Sequence, residues 1–421
     1  MSRPGVALAL LVAVAGPLSA QERDEATAAV FSRYADRLAK IQVVETGSGA
    51  KSTLGTGFFV TPDGHLLTNY HVIAGAIHDA DRYRIVWVDP AGRSRPALIG
   101  AIDVVRDLAV LETGLGTDRY FRLGSPAIPI GTRLYSLGHP KDLGLSIVEG
   151  TYNGELDHTL YPKIHFTGPL NSGMSGGPAL TAGGEVVGVT VATEGNSVSF
   201  LVPITAGGAL VREALSAPDS TDLVAEIGRQ LIENQDRYLA TLFQGADSSV
   251  SIGPFELPTQ PAGFFRCWAD ADRAGDALYE LVEHQCSTDD FIYLSPTQSS
   301  GIVSLEHRVL VSRGLNPLRF YSLYTSEFRR PVADPLEPAD DVTGYRCRSG
   351  NVRQTGMLVR TVFCVRRYTK YAGLYDAELK AAVLGARDAG VVTRLKLSGV
   401  SFENAERLTR KYVERIRWQS R

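Results

Sequence analysis

A chain of 421 residues exceeds the roughly 250 to 300 residues at which one hydrophobic core stops growing, so at least two folded units are expected. Its apolar fraction of 44% and charged fraction of 21% are ordinary for globular proteins, which excludes an extensively disordered chain. A formal net charge of −3 provides no basic field for a phosphate backbone, so nucleic acid is excluded as the main partner.

The first twenty residues have the pattern of a secretory signal peptide. Arg3 precedes an apolar run from Val6 to Ala15, and the small residues Ser19 and Ala20 follow. A run of about 10 residues is well short of the ~20 that span a bilayer, which favours cleavage after residue 20 over a membrane anchor. We therefore expect an exported protein, periplasmic or secreted, with no transmembrane segment after signal cleavage.

The next part of the chain is rich in short strand-forming runs. After an amphipathic helix expected over 22–40, such runs extend from Ile41 to about Pro203 and are separated by Gly, Pro and Asp turns. Many short strands without helices between them indicate a closed all-β architecture rather than a parallel sheet with crossover helices. The periodicity becomes helical again over about 212–244, which predicts an exit helix and connector.

A second unit is predicted to begin at a proline-dense stretch. Residues 251–263 contain three prolines, a density that fits a stiff linker and a domain boundary. The chain ends with apolar residues at helical spacing over about 402–416, with basic residues mostly on other faces. This helix is expected to pack on the C-terminal unit, and a membrane-surface or partner-binding helix is the alternative.

All four cysteines lie in the C-terminal unit, and disulfides persist in exported proteins. Of the three possible connectivities we favour Cys267 with Cys286 and Cys347 with Cys364, because each pair brackets a pattern of strand, turn and strand. Cys267 and Cys347 each follow an aromatic residue and an arginine, a weak indication of a duplicated hairpin. None of the spacings is Cys-x-x-Cys, so no metal site is predicted.

Ser175 has the surroundings of a catalytic nucleophile. Peptide hydrolysis by serine needs an activated hydroxyl, a neutral imidazole, a carboxylate that orients the imidazole, and backbone N–H groups aimed at the developing oxyanion. The glycine-rich stretch 168–178 allows a backbone turn tight enough to direct the Ser175 hydroxyl into such a cavity. The N–H groups of Gly173 and Ser175 are the expected oxyanion donors.

His71 and Asp107 are the candidates for the base and for the acid that orients it. His71 ends a pattern of strand, turn and strand, so it is expected at a strand edge. Asp107 directly precedes an apolar strand and is expected to accept a hydrogen bond from His71 Nδ1–H, whereas Asp103 lacks that position. Because the imidazole must be neutral, kcat/KM is expected to fall below about pH 6.5.

The segments around these three residues resemble the trypsin-like serine peptidases of the HtrA/Deg type, whose motifs occur in the order His, Asp, Ser. The resemblance spans about 25–205, and its motifs are Thr56-Gly-Phe to His71-Val, Asp107-Leu-Ala-Val-Leu and Asn171-Ser-Gly-Met-Ser-Gly-Gly-Pro. It implies a chymotrypsin-like double six-stranded β-barrel with the active site in the cleft between the barrels.

We therefore predict a mainly β chain with four parts. They are a signal peptide over 1–20, a peptidase domain over 21–210, a helical connector over 211–250, and a smaller α+β disulfide-containing domain over 251–421.

The resemblance also implies which residues bind substrate. By position, Thr190, Val191 and Ala192 fall on the strand that pairs with the substrate backbone, and Leu170 and Asn171 line the primary specificity pocket. No acidic residue stands just before the Gly-Met-Ser turn to attract a basic side chain. We therefore expect cleavage after small or medium-sized apolar residues.

The sequence departs from that family in two respects. Met174 stands where the family has a polar residue, which excludes zymogen activation through an aspartate at that position. No segment after residue 205 resembles a PDZ domain, so regulation by peptide sensing and caged oligomers are not implied. The function of the C-terminal domain and the oligomeric state stay open.

The sequence thus predicts an exported serine endopeptidase that hydrolyses protein or peptide substrates through an acyl-enzyme on Ser175, without metal or cofactor. The alternative is a binding or chaperone-like protein that keeps the protease fold and acts mainly through its C-terminal domain. A further alternative is an enzyme whose C-terminal domain inhibits the site or recruits substrate.

Overall fold

The structure, a computed structural model, describes residues 20–419 apart from short internal segments, which are 125–126, 194–197, 217–221, 245–247, 260–262, 273–277, 289, 331–339, 355 and 386. The predicted signal peptide lies, up to residue 19, outside the described residues. Among the described helices, none combines the length and the apolar character needed to cross a membrane.

The first folded unit is a seven-stranded antiparallel sheet. Its strands are β1 (Leu38–Glu45), β2 (Lys51–Phe59), β3 (His65–Thr68), β4 (Tyr83–Val88), β5 (Ser94–Pro96), β6 (Leu98–Asp103) and β7 (Leu108–Glu112). They lie in the order β5-β4-β1-β2-β3-β7-β6. The first four residues of β7 are all buried, which explains their unbroken apolar sequence and places the start of this strand inside the unit.

The second unit is a closed six-stranded antiparallel barrel. Its strands are β8 (Arg133–Gly138), β9 (Ser146–Glu155), β10 (Ile164–Phe166), β11 (Pro178–Leu180), β12 (Val186–Thr193) and β13 (Ser199–Pro203). Phe166, Met174 and Leu201 are fully buried in its interior. The predicted mainly β, chymotrypsin-like fold is confirmed. The predicted pair of six-stranded barrels needs one correction, because the second unit closes, whereas the first is a seven-stranded sheet with β5 and β6 at its edges. Its additional strand is the short β5, which pairs with β4.

Four helices of the described chain accompany these units, and their bounds differ from the sequence prediction in two places. They are α1 (Ala20–Tyr34), α2 (Tyr70–His78), α3 (Ile204–Ala214) and α4 (Leu223–Gln244), with 3-10 turns at Ala35–Arg37 and Pro140–Asp142. The helix expected over 22–40 ends earlier, because β1 pairs with β2 and β4 from its first residues. The exit helix expected over 212–244 is two helices, α3 and α4.

Helix α2 interrupts the predicted run of strands. Its sequence contains the strand formers Val72 and Ile73, but Tyr70, Ile73 and Ile77 are buried at helical spacing. Packing of this face against the first sheet therefore outweighs the β propensity of the segment.

A seven-stranded antiparallel sheet forms the C-terminal unit. Its strands are β16 (Phe265–Asp272), β17 (Tyr279–Thr288), β20 (Val303–Ser312), β21 (Arg346–Gln354), β22 (Met357–Arg367), β23 (Tyr375–Leu384) and β24 (Ala389–Val400). They lie in the order β16-β17-β20-β24-β23-β22-β21. The structure contains the favoured disulfides, Cys267–Cys286 and Cys347–Cys364. Each disulfide joins an edge strand to its neighbour through residues directly opposite in register.

The proline-dense stretch is a hairpin rather than a stiff linker. Strands β14 (Ser249–Ile252) and β15 (Phe255–Pro258) pair, and β25 (Arg417–Trp418) adds a third strand. Phe255 is fully buried, and its ring centroid lies 4.9 Å from that of Trp418. Burial of Phe255 and its contact with the half-buried Trp418 fix the segment to the C-terminal unit.

Two helices, α5 (Pro317–Arg329) and α6 (Phe402–Glu414), pack on the C-terminal sheet. The hydroxyl of Ser401 accepts a hydrogen bond from Asn404 N–H and caps the first turn of α6. Tyr412 and Val413 are buried against the sheet, so the helix expected near the end of the chain packs on the C-terminal unit.

One apolar core crosses the junction between the first sheet and the C-terminal unit. A small two-stranded sheet, β18 (Ile292–Ser295) with β19 (Gln298–Ser300), leaves the C-terminal sheet and reaches helix α2. Ile292 and Leu294 are buried there together with Tyr371 and with Ile227 of α4. The C-terminal unit therefore packs directly on the part of the fold that carries His71.

Candidate active site

Asp107 is held in a backbone conformation that is unusual for a residue other than glycine. Its φ is +58°, and the side-chain amide of Asn69 donates a hydrogen bond of 2.7 Å to its carbonyl oxygen. Such left-handed backbone costs of order 1 to 3 kcal/mol and persists only where surrounding contacts impose it. The strain is located at the residue that directly precedes β7, where the sequence predicted a fixed carboxylate.

The Asp107 carboxylate makes two hydrogen bonds to the same histidine. Oδ1 accepts the backbone N–H of His71 at 2.8 Å, and Oδ2 lies 2.6 Å from His71 Nδ1. His71 is the second residue of α2, so the expectation of a strand edge was wrong. The N–H groups of a first helical turn have no partner within the helix, and Asp107 satisfies one of them. The bond at Nδ1 leaves Nε2 as the free ring nitrogen.

The surroundings of His71 raise the pKa of its imidazole. Burial lowers the pKa, but the charge of Asp107 and its hydrogen bond raise it, and the net pKa lies above the ordinary 6.5. Asp103 is not part of this arrangement, because its carboxylate accepts from the Arg106 guanidinium at 2.8 Å.

The turn that carries Ser175 depends on glycine. Gly173 and Gly176 have φ of +96° and +84°, and a Cβ at Gly173 would lie 2.4 Å from the carbonyl oxygen of His139. Within the described residues, neither Gly173 N–H nor Ser175 N–H donates a hydrogen bond to another protein group. Two backbone donors are thus available at one turn, as an oxyanion hole requires.

Thr56 holds this turn in place, a role that sequence reasoning missed. Its hydroxyl donates to the carbonyl oxygen of Gly173 at 2.8 Å, and its N–H donates to that of Ser175 at 2.8 Å. The same hydroxyl accepts the N–H of His139 at 3.0 Å. With both carbonyl oxygens bound to Thr56, the peptide groups of the turn have fixed orientations. The motif Gly55-Thr56-Gly57 is visible in the sequence, but the motif alone does not show that Thr56 contacts the Ser175 turn.

The hydroxyl of Ser175 is directed to the neighbouring strand. It donates to the carbonyl oxygen of Val191 at 3.2 Å, and in the described part of the chain it forms no hydrogen bond with His71. A loose contact between nucleophile and base is common in ligand-free sites and tightens when substrate binds. Val191 thus connects the two parts of the site, because its carbonyl oxygen accepts from Ser175 and it lines the same cavity as His71 and Asp107.

The strand predicted to bind substrate backbone is present, with one irregularity. Thr190 is buried and its backbone is bonded on both sides, to Gly176 and Gly177. The register with β13 shifts between Thr190 and Ala192, which leaves Val191 in a bulge with its carbonyl toward Ser175. Ala192 pairs with Phe200 through the backbone.

The two residues predicted for the primary pocket differ in their surroundings. Leu170 is 7% exposed and packs with the barrel interior, whereas Asn171 is exposed and its amide donates to a carbonyl two residues earlier at 3.3 Å. Neither lines the cavity beside His71, so their role in substrate selection stays a prediction.

A cavity of about 400 Å³ lies beside His71 and Asp107, and one of its walls comes from the C-terminal unit. This wall consists of Phe291, Ile292 and Tyr293. Sequence reasoning missed it, because no motif in that segment indicates contact with the peptidase region.

Cys267, His284 and Cys286 lie close together, but both sulfur atoms are bonded in the disulfide and supply no thiolate ligand.

Comparisons with known proteins point to one group. Residues 55–189 match the family described as trypsin-like peptidase domain. A probable periplasmic serine endoprotease, DegP-like, of Halomonas elongata is 30% identical over 200 residues, which is 45% of this chain and 41% of that protein. The corresponding protein of Pseudomonas fluorescens is 34% identical over 36% of this chain and 33% of its own length.

Two further proteins are similar to this chain. Protease Do-like 5, chloroplastic, of Arabidopsis thaliana is 32% identical over 36% of this chain and 53% of that protein. The solved structure of Deg5 is 27% identical over 45% of this chain and 93% of that chain, with a TM-score of 0.39. The chain spans less than half of the length of the DegP-like relatives that it matches.

Proposed function

We propose that this chain, which carries a trypsin-like peptidase domain related to those of the HtrA/DegP serine proteases, is an exported serine endopeptidase. The observation that carries the proposal is the double hydrogen bond between Asp107 and His71, in a fold that also presents the glycine turn of Ser175. A carboxylate that accepts both the backbone N–H and the Nδ1–H of one histidine fixes the orientation of the ring and its tautomer.

The proposed reaction begins at Ser175. Its Oγ attacks the scissile carbonyl carbon while its proton passes to His71 Nε2, and Asp107 stabilises the imidazolium that forms. The oxyanion accepts hydrogen bonds from Gly173 N–H and Ser175 N–H. The C–N bond then breaks as His71 gives the proton to the leaving amine. Water, deprotonated by His71, attacks the acyl-enzyme and releases the acid product and the free serine.

Export is supported by two independent features. The pattern of residues 1–20 predicts a signal peptide, and the two disulfides of the C-terminal unit suit an oxidising compartment. Several relatives are named periplasmic, and others are named chloroplastic or mitochondrial. Because residues 1–20 have the pattern of a secretory signal peptide, the periplasm is the proposed destination.

The decisive experiment is the intact mass of the folded protein after treatment with a fluorophosphonate. We expect one adduct on the unaltered protein and none on the Ser175→Ala variant, because only an activated serine beside an oxyanion hole reacts with this reagent. Absence of an adduct on well-folded protein would favour the binding or chaperone-like alternative, in which the C-terminal unit acts and the peptidase site is latent.

The pH dependence of kcat/KM tests the role of His71. The general base must be neutral, and its pKa is raised above 6.5 by Asp107, so the rate is expected to fall as the pH drops through a midpoint above 6.5. The measurement is kcat/KM on a peptide without titrating groups. A rate that stays level down to about pH 4, well below the ordinary pKa of histidine, would show that no histidine acts as the base.

A further inference from the structure

The β18–β19 hairpin of the C-terminal unit lies directly against His71. The ring of Tyr293 meets the imidazole edge to face, with the ring centroids 5.9 Å apart. Burial, and then the charge of Asp107, raise the pKa of Tyr293 to about 12, so the side chain is a neutral phenol at every working pH. A side chain in contact with the proposed general base can affect how substrate binds beside it.

Polar contacts on both sides of Tyr293 hold the hairpin in this position. Just before it, the buried carboxylate of Asp290 accepts from the Lys163 ammonium of the barrel at 2.6 Å. Within it, the carbonyl oxygen of Leu294 accepts from the Tyr70 hydroxyl at 2.9 Å. Tyr70 directly precedes His71, so this second contact fixes the hairpin relative to the histidine itself.

The hairpin borders a cavity and does not fill it. About 400 Å³ lies between Tyr293 on one side and Val191 and Phe200 of the barrel on the other, with His71 in the wall. This volume is within the range of roughly 300 to 1,000 Å³ found for small-molecule sites, and it is adequate for a large peptide side chain. The His71 side chain remains 25% exposed, so Tyr293 leaves part of the imidazole open to a ligand.

The lining selects for apolar groups. The charged side chains at the cavity are already paired, since Lys163 bonds Asp290, Arg106 bonds Asp103 and the Asp107 carboxylate bonds His71. A charged substrate group placed here would be desolvated without a partner, whereas an apolar or aromatic group would gain burial against aromatic rings.

We infer that Tyr293, with Phe291 and Ile292, is a specificity-determining wall of a second side-chain pocket in the peptidase cleft. The pocket accepts a large apolar or aromatic side chain next to the scissile residue, and it is distinct from the primary pocket predicted at Leu170 and Asn171. The inference rests on the proposed peptidase function and assigns to the C-terminal unit a part in substrate selection.

The test uses the full-length protein with three substitutions. Tyr293→Ala removes the wall, Tyr293→Phe keeps the ring, and Tyr321→Ala is a matched aromatic truncation on α5, which packs on β20 and β24 instead of the cleft. Each protein is first labelled with a fluorophosphonate and then profiled with a peptide library in which the positions flanking the cleaved bond vary. Labelling reports on Ser175 and the profile reports on the pocket.

We expect all four proteins to be labelled, with Tyr293→Ala alone losing the preference for a large apolar side chain over alanine at one flanking position. The loss should be about 10-fold or more in the ratio of kcat/KM values, since even one methylene in an apolar pocket changes that ratio by roughly 10 to 200-fold.

Three other outcomes overturn the inference, and each has a different meaning. Normal labelling with an unchanged profile in Tyr293→Ala means that the peptidase proposal stands and the wall does not select substrate. Weak labelling of the unaltered protein with strong labelling of Tyr293→Ala means that the hairpin blocks the site instead of shaping it. No labelling of any folded variant removes the proposed function itself.

Discussion

The Asp107→Asn variant is expected to show a kcat about 10⁴-fold below that of the unaltered protein, the magnitude typical of losing the orienting carboxylate. Asp107 accepts two donors from His71, its backbone N–H and Nδ1–H, through two separate oxygen atoms. An asparagine has one acceptor oxygen and one NH2 group, so it cannot satisfy both. An NH2 group facing the ring selects the tautomer protonated on Nε2, which cannot take the proton of Ser175.

The matched control for this substitution is Asp103→Asn. Asp103 lies four residues earlier and bonds the partly exposed Arg106 instead of the histidine, so kcat is expected to change by no more than a few-fold. The measurement is steady-state hydrolysis of one peptide by the three proteins. Equal losses in both variants, or a larger loss at Asp103, would show that Asp107 is not the orienting acid.

Replacing Arg366 with methionine is expected to destabilise the C-terminal unit by about 3 to 5 kcal/mol, the usual cost of removing one partner of a buried ion pair. Arg366 and Asp376 are 6% and 3% exposed and bond each other at 2.8 Å. Asp376 also accepts from the Tyr368 hydroxyl at 2.8 Å and from Gly399 N–H at 3.1 Å. Without the guanidinium, the buried carboxylate keeps the Tyr368 hydroxyl and Gly399 N–H, which are both neutral donors.

The control replaces both partners, Arg366→Met with Asp376→Leu. Because neither charge of this pair is left buried alone, the double variant is expected to recover part of the lost stability. The recovery is incomplete, because the Tyr368 hydroxyl and Gly399 N–H lose their acceptor. The measurement is the free energy of unfolding from urea denaturation, followed through tryptophan fluorescence. If the two substitutions destabilise additively, so that the double variant is less stable than Arg366→Met, the two charges do not depend on each other and the side chains contribute through packing alone.

Local patterns were sufficient to propose catalytic residues for this chain. Ser175 was proposed because glycines surround it at a tight turn, and Asp107 because it directly precedes a buried strand. Both signals depend on neighbours within a few positions, so the sequence contains them in full. The mainly β class followed in the same way from short strand-forming runs between turn residues.

Helix α2 and the seventh strand of the first sheet could not be predicted in this way. Residues 70–78 contain strand formers, and they are helical because a face with Tyr70, Ile73 and Ile77 packs on the first sheet and on β18. The short edge strand β5 forms only because β4 offers an unpaired edge. Both outcomes depend on partners that are distant in the chain.

The sequence by itself determined the fold class and the residues proposed for the reaction, because turns, caps and strand patterns are local properties. Only the tertiary structure decided that His71 begins a helix, that Thr56 holds the glycine turn, and that Tyr293 stands beside the imidazole. The physical reason is that burial and hydrogen bonding between distant segments stabilise these arrangements only when the units pack together. The sequence of any one segment does not show which distant segment it will contact.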